Sequence, residues 1–124
     1  MNDESIFDTL KEMIGPLEDS DAFDIDFLVH INTILAVLTQ IGVGPTTGFE
    51  ITGPDETWGM LLEESPLLNH VKTYMYLRLK KIFDPPESGT LMESIQKLID
   101  ELEWRIDAEI RRTIYKEEGE ANGE

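Results

Sequence analysis

The sequence predicts an all-α domain: a small helical bundle with a long C-terminal helix and one short β element. Three observations carry that expectation. Apolar residues recur every three or four positions in several separate segments, the period of helices packed on one side. Glycine and proline fall between those segments, at Gly15-Pro16, Gly42–Pro45 and Asp84-Pro85-Pro86. Only Gly48–Gly53 alternates apolar with polar residues as a strand does. A chain of 124 residues, 40% of them apolar, suits one domain with a modest core.

The first helix is expected over Asp3–Ile14, where Ile6, Leu10 and Ile14 form a stripe widened by Phe7 and Met13. Gly15 and Pro16 stop it. After an acidic link, a second helix is expected over Asp24–Ile41, capped by Asp24 or Ser20. Phe27, Leu28, Ile31, Leu35 and Leu38 share one face, and Ile34, Val37 and Ile41 widen it, so this helix should be the most buried. Gly48–Gly53 reads as a strand or extended loop that needs a partner, within the chain or on a neighbouring copy. Asp55 should cap a short helix, Glu56–Glu64.

Ser65 and Pro66 then start the fourth helix as cap and first residue. Its inner side is Leu68, Val71, Met75, Leu79 and Ile82. Asp84-Pro85-Pro86 ends it and acts as a hinge, because proline lacks an amide donor and biases its predecessor away from helical angles. Thr90-Leu-Met-Glu93 is a capping box that opens the last helix. Leu91, Ile95, Leu98, Leu102, Ile106 and Ile110 continue it to about Ile114, roughly 39 Å at 1.5 Å per residue. Residues 1–116 thus form one helical domain. Glu117–Glu124 reads as a flexible acidic tail.

The charge is −16, from twenty-six acids against ten bases. That argues against a protein gripping phosphate with its average surface. Residues 1–71 hold fourteen acids and one base, Lys11, whereas residues 72–124 hold twelve acids and nine bases. Lys72, Arg78, Lys80 and Lys81 lie together with no acid between them. An acidic half beside a basic segment suits self-association between neighbouring copies. The absence of cysteine excludes disulfides, thiol catalysis and cysteine-ligated metals. No apolar run approaches the ~20 residues of a membrane span, and the acidic start is unlike a secretory signal, so a cytoplasmic protein without membrane contact is expected.

Nothing in the chain spells catalysis, and no enzyme activity or cofactor is expected. Glu18–Asp24 fails as a calcium loop, because Phe23 takes a ligand position and Asp24 the glycine position. His30 and His70 belong to no metal-binding pair. Trp58 and Trp104 each suit the core or an interface; Trp104 falls off its helix stripe and is followed by Arg105, a pairing favoured at interfaces. Tyr74 and Tyr76, on either side of Met75, pose the same choice. The interface candidates are therefore Trp58, Lys72, Tyr76, Arg78, Lys80, Lys81, Trp104 and Arg105. The end of the last helix, Arg111, Arg112, Thr113, Ile114, Tyr115 and Lys116, should project beyond any core this chain can build, or dock on something.

Three stretches also carry a resemblance: "HINTILAVLTQIGVGP" (residues 30–45), "VKTYMYLRLKKIFDPP" (71–86) and "ELEWRI" (101–106). In this order, with a short Trp-initiated helix before the second, they resemble the head–tail connector (adaptor) proteins of tailed bacteriophages. The likeness begins near Ile6 and is densest from Trp58 to Ile106. It implies a helical virion protein at the neck, assembled in the host cytoplasm into a ring, usually of twelve copies. Such a ring docks on the portal, extends the DNA channel and carries the next neck or tail-completion protein. It also implies that the C-terminal helix, here Arg111–Lys116, engages the portal. The N-terminal half is more acidic than in the family. Acids such as Asp19, Asp21, Glu50, Asp55 and Glu56 would suit a channel wall past which DNA slides without specific binding. An alternative use of the same charge is an acidic DNA mimic that inhibits a nucleic-acid enzyme.

Overall fold

A computed structural model of the chain describes residues 3–15, 20–63 and 65–122, with side chains described as far as Lys116. Five helices follow one another: α1 (Ile6–Ile14), α2 (Asp21–Ile41), α3 (Trp58–Leu61), α4 (Leu68–Phe83) and α5 (Gly89–Asn122). The all-α expectation holds, with a long C-terminal helix.

Capping sets the boundaries. Ser5 accepts from the Asp8 amide to start α1, and Ser20 accepts from the Phe23 amide to start α2. Gly42 closes α2 at φ 115°, its amide donating to the Leu38 and Thr39 carbonyls. A side chain there would be strained in φ and would press on Ile110, 3.1 Å from the Cβ position. Thr57, rather than Asp55, caps α3 by accepting from the Met60 amide. At α5 the Ser88 hydroxyl accepts from the Leu91 amide, two residues ahead of the expected Thr90 box.

α4 is the central helix, packed on α1, α2 and α5. It carries Val71, Tyr74, Met75, Leu77 and Leu79 into the core. α2, expected to be the most buried, gives the core Phe27, Ile31, Ile34, Leu35 and Leu38 but leaves Ile25 64% and Val29 55% exposed. By length and composition, with a mean hydropathy of 1.5, α2 would pass as a membrane span. In the fold, one side of it is core instead. Phe7, Phe23, Phe27 and Phe83 join α1, α2 and α4 through ring contacts of 5.2–5.7 Å. Aromatic burial of this kind supplies much of a small core's stability.

The short β element is not formed. Among the described residues there is no sheet, only an isolated bridge between Ser5 and Thr57. There the Ile6 amide donates to the Glu56 carbonyl and the Trp58 amide to the Glu4 carbonyl, each at 3.0 Å. Residues 48–53 belong to no helix or strand, and a side chain takes the place of a partner strand. The Asn32 amide group accepts from the Ile51 N–H at 2.8 Å and donates to the Ile51 carbonyl at 3.0 Å. That satisfies the backbone of Ile51, whose side chain is 2% exposed.

α5 has 34 residues, about 51 Å of helix. Its inner side is Ile99, Leu102 and Ile106, flanked by the half-buried Ile95 and Ile110. Leu91 and Leu98, expected on that stripe, are 56% and 42% exposed. The step from Ile95 to Ile99 keeps the 3.6-residue phase, which Leu98 leaves. From Arg111 to Lys116 every side chain is exposed, and the helix continues to Asn122, over most of the segment read as a tail.

Candidate interaction surfaces

The basic stretch of α4 is largely used within the chain. Arg78 donates to the Tyr74 hydroxyl at 3.0 Å, and that hydroxyl donates to Glu103 of α5 at 2.8 Å. The Tyr74 ring itself is fully buried. Burial, then the bond to Glu103, pushes its phenol pKa up. Lys80 pairs with Asp84 at 3.0 Å, a bond that holds its ammonium above the ordinary lysine value. Lys81 donates to Gln96 of α5. Lys72 stands over the Trp58 ring, 5.4 Å from its centroid. Lys81 and Lys72 thus tie α4 to α5 and α3, whereas Arg78 and Lys80 bond within α4 and its C-cap.

Trp58 is corrected from interface to core. Its side chain is 0% exposed, so no second molecule touches it, and its indole N–H has no hydrogen-bond partner among the described residues. The bridge from Trp58 to Glu4 holds α3 against the start of α1 and turns the ring inward. Tyr76 is half-buried on α4. Trp104 is the reverse case, 68% exposed on α5, one residue before Arg105, which is also exposed and 3.4 Å from Glu101.

Trp104 stands beside a groove of about 400 Å³ between α5 and the start of α4. Pro66, Leu67, Trp104 and Ala108 give it an apolar lining. Arg105, Arg112 and Glu109 supply its charges, and His70 lies beside them. Arg112 pairs with Glu109 at 3.0 Å across one turn of exposed helix, an interaction worth little alone. One turn further on, Ile114 is 48% and Tyr115 74% exposed, and Arg111 pairs with Asp107 at 3.1 Å. Thr113 and Lys116 complete a stretch of α5 that the described residues leave exposed.

The acids assigned to a channel wall sit on two elements. Asp21 is exposed in the first turn of α2; Glu50 and Asp55 are exposed in the α2–α3 connection. Asp19 lies outside the described residues. Glu56 is spent locally, accepting from the Thr52 amide at 3.0 Å and the Thr52 hydroxyl at 2.8 Å. Burial pushes its carboxyl pKa up, but these bonds outweigh that and hold it below the ordinary value.

Neither histidine joins a metal site, and among the described residues no group of three or more potential ligands gathers. His30 is half-buried, its ring edge-on to Phe83 at 5.3 Å and its Nε2 3.7 Å from Asp26. Asp24, part of the rejected calcium loop, pairs with Lys11 at 2.9 Å.

The sequence reading missed the outward face of α2. On a 100° wheel Ala22, Ile25, Asp26, Val29, Thr33 and Ala36 fall on one arc, opposite Phe27, Ile31 and Leu38, and all six are exposed. The signal was present in Ile25 and Val29, which fall out of phase with the buried stripe.

No curated protein and no solved structure matches the chain. The family described as "Phage connector protein" matches it over residues 6–113. That span takes in all of α1 to α4 and α5 as far as the exposed Thr113, with the Trp104 groove inside it. The chain therefore belongs to the phage connector protein family, and is a structural protein of a bacteriophage.

Proposed function

We propose that this connector is a ring-forming subunit at the head–tail junction of the virion, docked on the portal, extending the DNA channel and carrying the next neck or tail protein. The observation that supports this best is the distal part of α5. A helix of 34 residues outruns its own core after Ile110 and presents Arg111–Lys116, all exposed, with Ile114 and Tyr115 among them. Apolar side chains left bare at the end of a rigid rod suit a partner that covers them. In this reading the partner is the portal.

The repeat about the axis, of about twelve copies as the resemblance implies, would be built from the helical flanks. Its inner wall would include Asp21, Glu50 and Asp55, with Glu56 in the same connection as the last two. Carboxylates there repel the phosphate backbone, so packaged DNA passes without being held. No catalytic step enters the account.

The test is cosedimentation with the portal protein of the same phage. The full chain should pellet with portal rings, and the double variant Ile114→Glu, Tyr115→Ala should remain in the supernatant with its helical circular-dichroism signal unchanged. Equal pelleting of both proteins would remove the portal role from this end of α5.

A further inference from the structure

Two of the surfaces that the described residues leave bare complement one another. One is the outer stripe of α2: Ala22, Ile25 and Val29 with Asp26 on its flank. Ile25 is 64% exposed, Val29 55%, and the Asp26 side chain 62%. The other is the groove beside Trp104, apolar along Pro66, Leu67 and Ala108, with Arg105 and Arg112 at its edge. On a chain of charge −16, a groove with two arginines against one glutamate is a local exception.

We infer that the α2 stripe of one copy seats in the Trp104 groove of the next. α2 turns its buried side to α4 and α5. Its outer stripe therefore points away from the two helices that form the groove, so the surfaces meet only between copies. Two different patches meeting head to tail make a heterologous contact, which closes into a ring when the rotation permits. Ile25 and Val29 supply apolar area against the indole, the residue type most often central to a contact. Asp26 approaches the arginines, whose exposed pairings with Glu101 and Glu109 are weak enough to rearrange. This contact rests on the ring reading above and names the faces that would build it.

A reciprocal charge reversal tests it on the full chain. One variant carries Arg105→Glu and Arg112→Glu; the other carries Asp26→Arg. Each alone sets like charges together and should fail to form rings on the portal. Mixed in equal amounts they should assemble, because in an alternating ring both kinds of junction pair opposite charges. Trp104→Ala should weaken copy–copy association by about 30-fold, with folding intact. Cysteines give a geometric check, since the chain has none of its own. Ala22→Cys and Ala108→Cys chains, assembled together, should join through a short bismaleimide, and neither variant alone should do so.

Rings that form with neither mixed rescue nor a 22–108 crosslink would overturn this contact and leave the ring reading standing. Loss of portal binding while copy–copy association persists would hand the groove to the portal and also overturn it. A chain that forms no ring with or without the portal would sink both.

Discussion

The two tryptophans of this chain sit in opposite settings. Trp58 is 0% exposed at the start of α3, its amide donating to the Glu4 carbonyl and its ring covered by the Lys72 ammonium. Trp104 is 68% exposed on α5, out of phase with Ile99, Leu102 and Ile106. One belongs to the interior that makes a domain, the other to a surface left for something else. The same division runs through the charges. The α4 cations face Tyr74, Asp84 and Gln96 of their own chain, while Arg105, Arg111 and Arg112 hold only weak pairings along α5. Residue type does not decide which role a side chain takes; helical phase and the nearest packed neighbour do.

The difference can be broken at several points, beginning with the largest effect. Trp58→Ala empties a fully buried site and should cost about 3–5 kcal/mol, read as a lowered denaturant midpoint. Asn32→Ala leaves the buried Ile51 backbone without its partner and should cost about 1–3 kcal/mol, loosening residues 48–53 first in hydrogen exchange. Tyr74→Phe removes the hydroxyl that links Arg78 to Glu103, for about 1 kcal/mol.

The Tyr74 pair also gives a pH signature. Because the folded state raises the phenol pKa above its ordinary 10.0, the contribution is whole below pH 10 and is lost as the pH climbs through the raised value. Alkaline unfolding of the wild type should therefore be steeper there than that of Tyr74→Phe. Equal alkaline slopes would show that the Tyr74 hydroxyl is not coupled to folding. Smallest of all, Trp104→Ala should change monomer stability by no more than about 0.5 kcal/mol. A large loss on that substitution would erase the contrast with Trp58.

Much of this fold was legible in the residues. Ile6, Leu10 and Ile14 marked α1; Gly42-Val43-Gly44-Pro45 ended α2; Asp84-Pro85-Pro86 divided α4 from α5. These signals are local, set by phase and by what glycine and proline do to a backbone. What stayed hidden needed the third dimension. No pattern in Gly48–Gly53 says that its partner is the side chain of Asn32 rather than a strand. Nor does "VKTYMYLRLKK" reveal that the Tyr74 hydroxyl and Lys81 bond to α5. The surfaces were half legible: Trp104 and Arg111–Lys116 stood out by being off-stripe or beyond the core, whereas Val29 lay within an apolar run and Ile25, between two aspartates, showed itself only by its phase.

The claim beneath all of this is that the chain works through exposed helical faces repeated about an axis. Electron microscopy of the full-length protein mixed with its portal tests it most directly. The account predicts a second layer of density coaxial with the portal, built from equivalent copies joined side by side. Portal rings that stay bare, beside a chain that remains a single copy in solution, would contradict it.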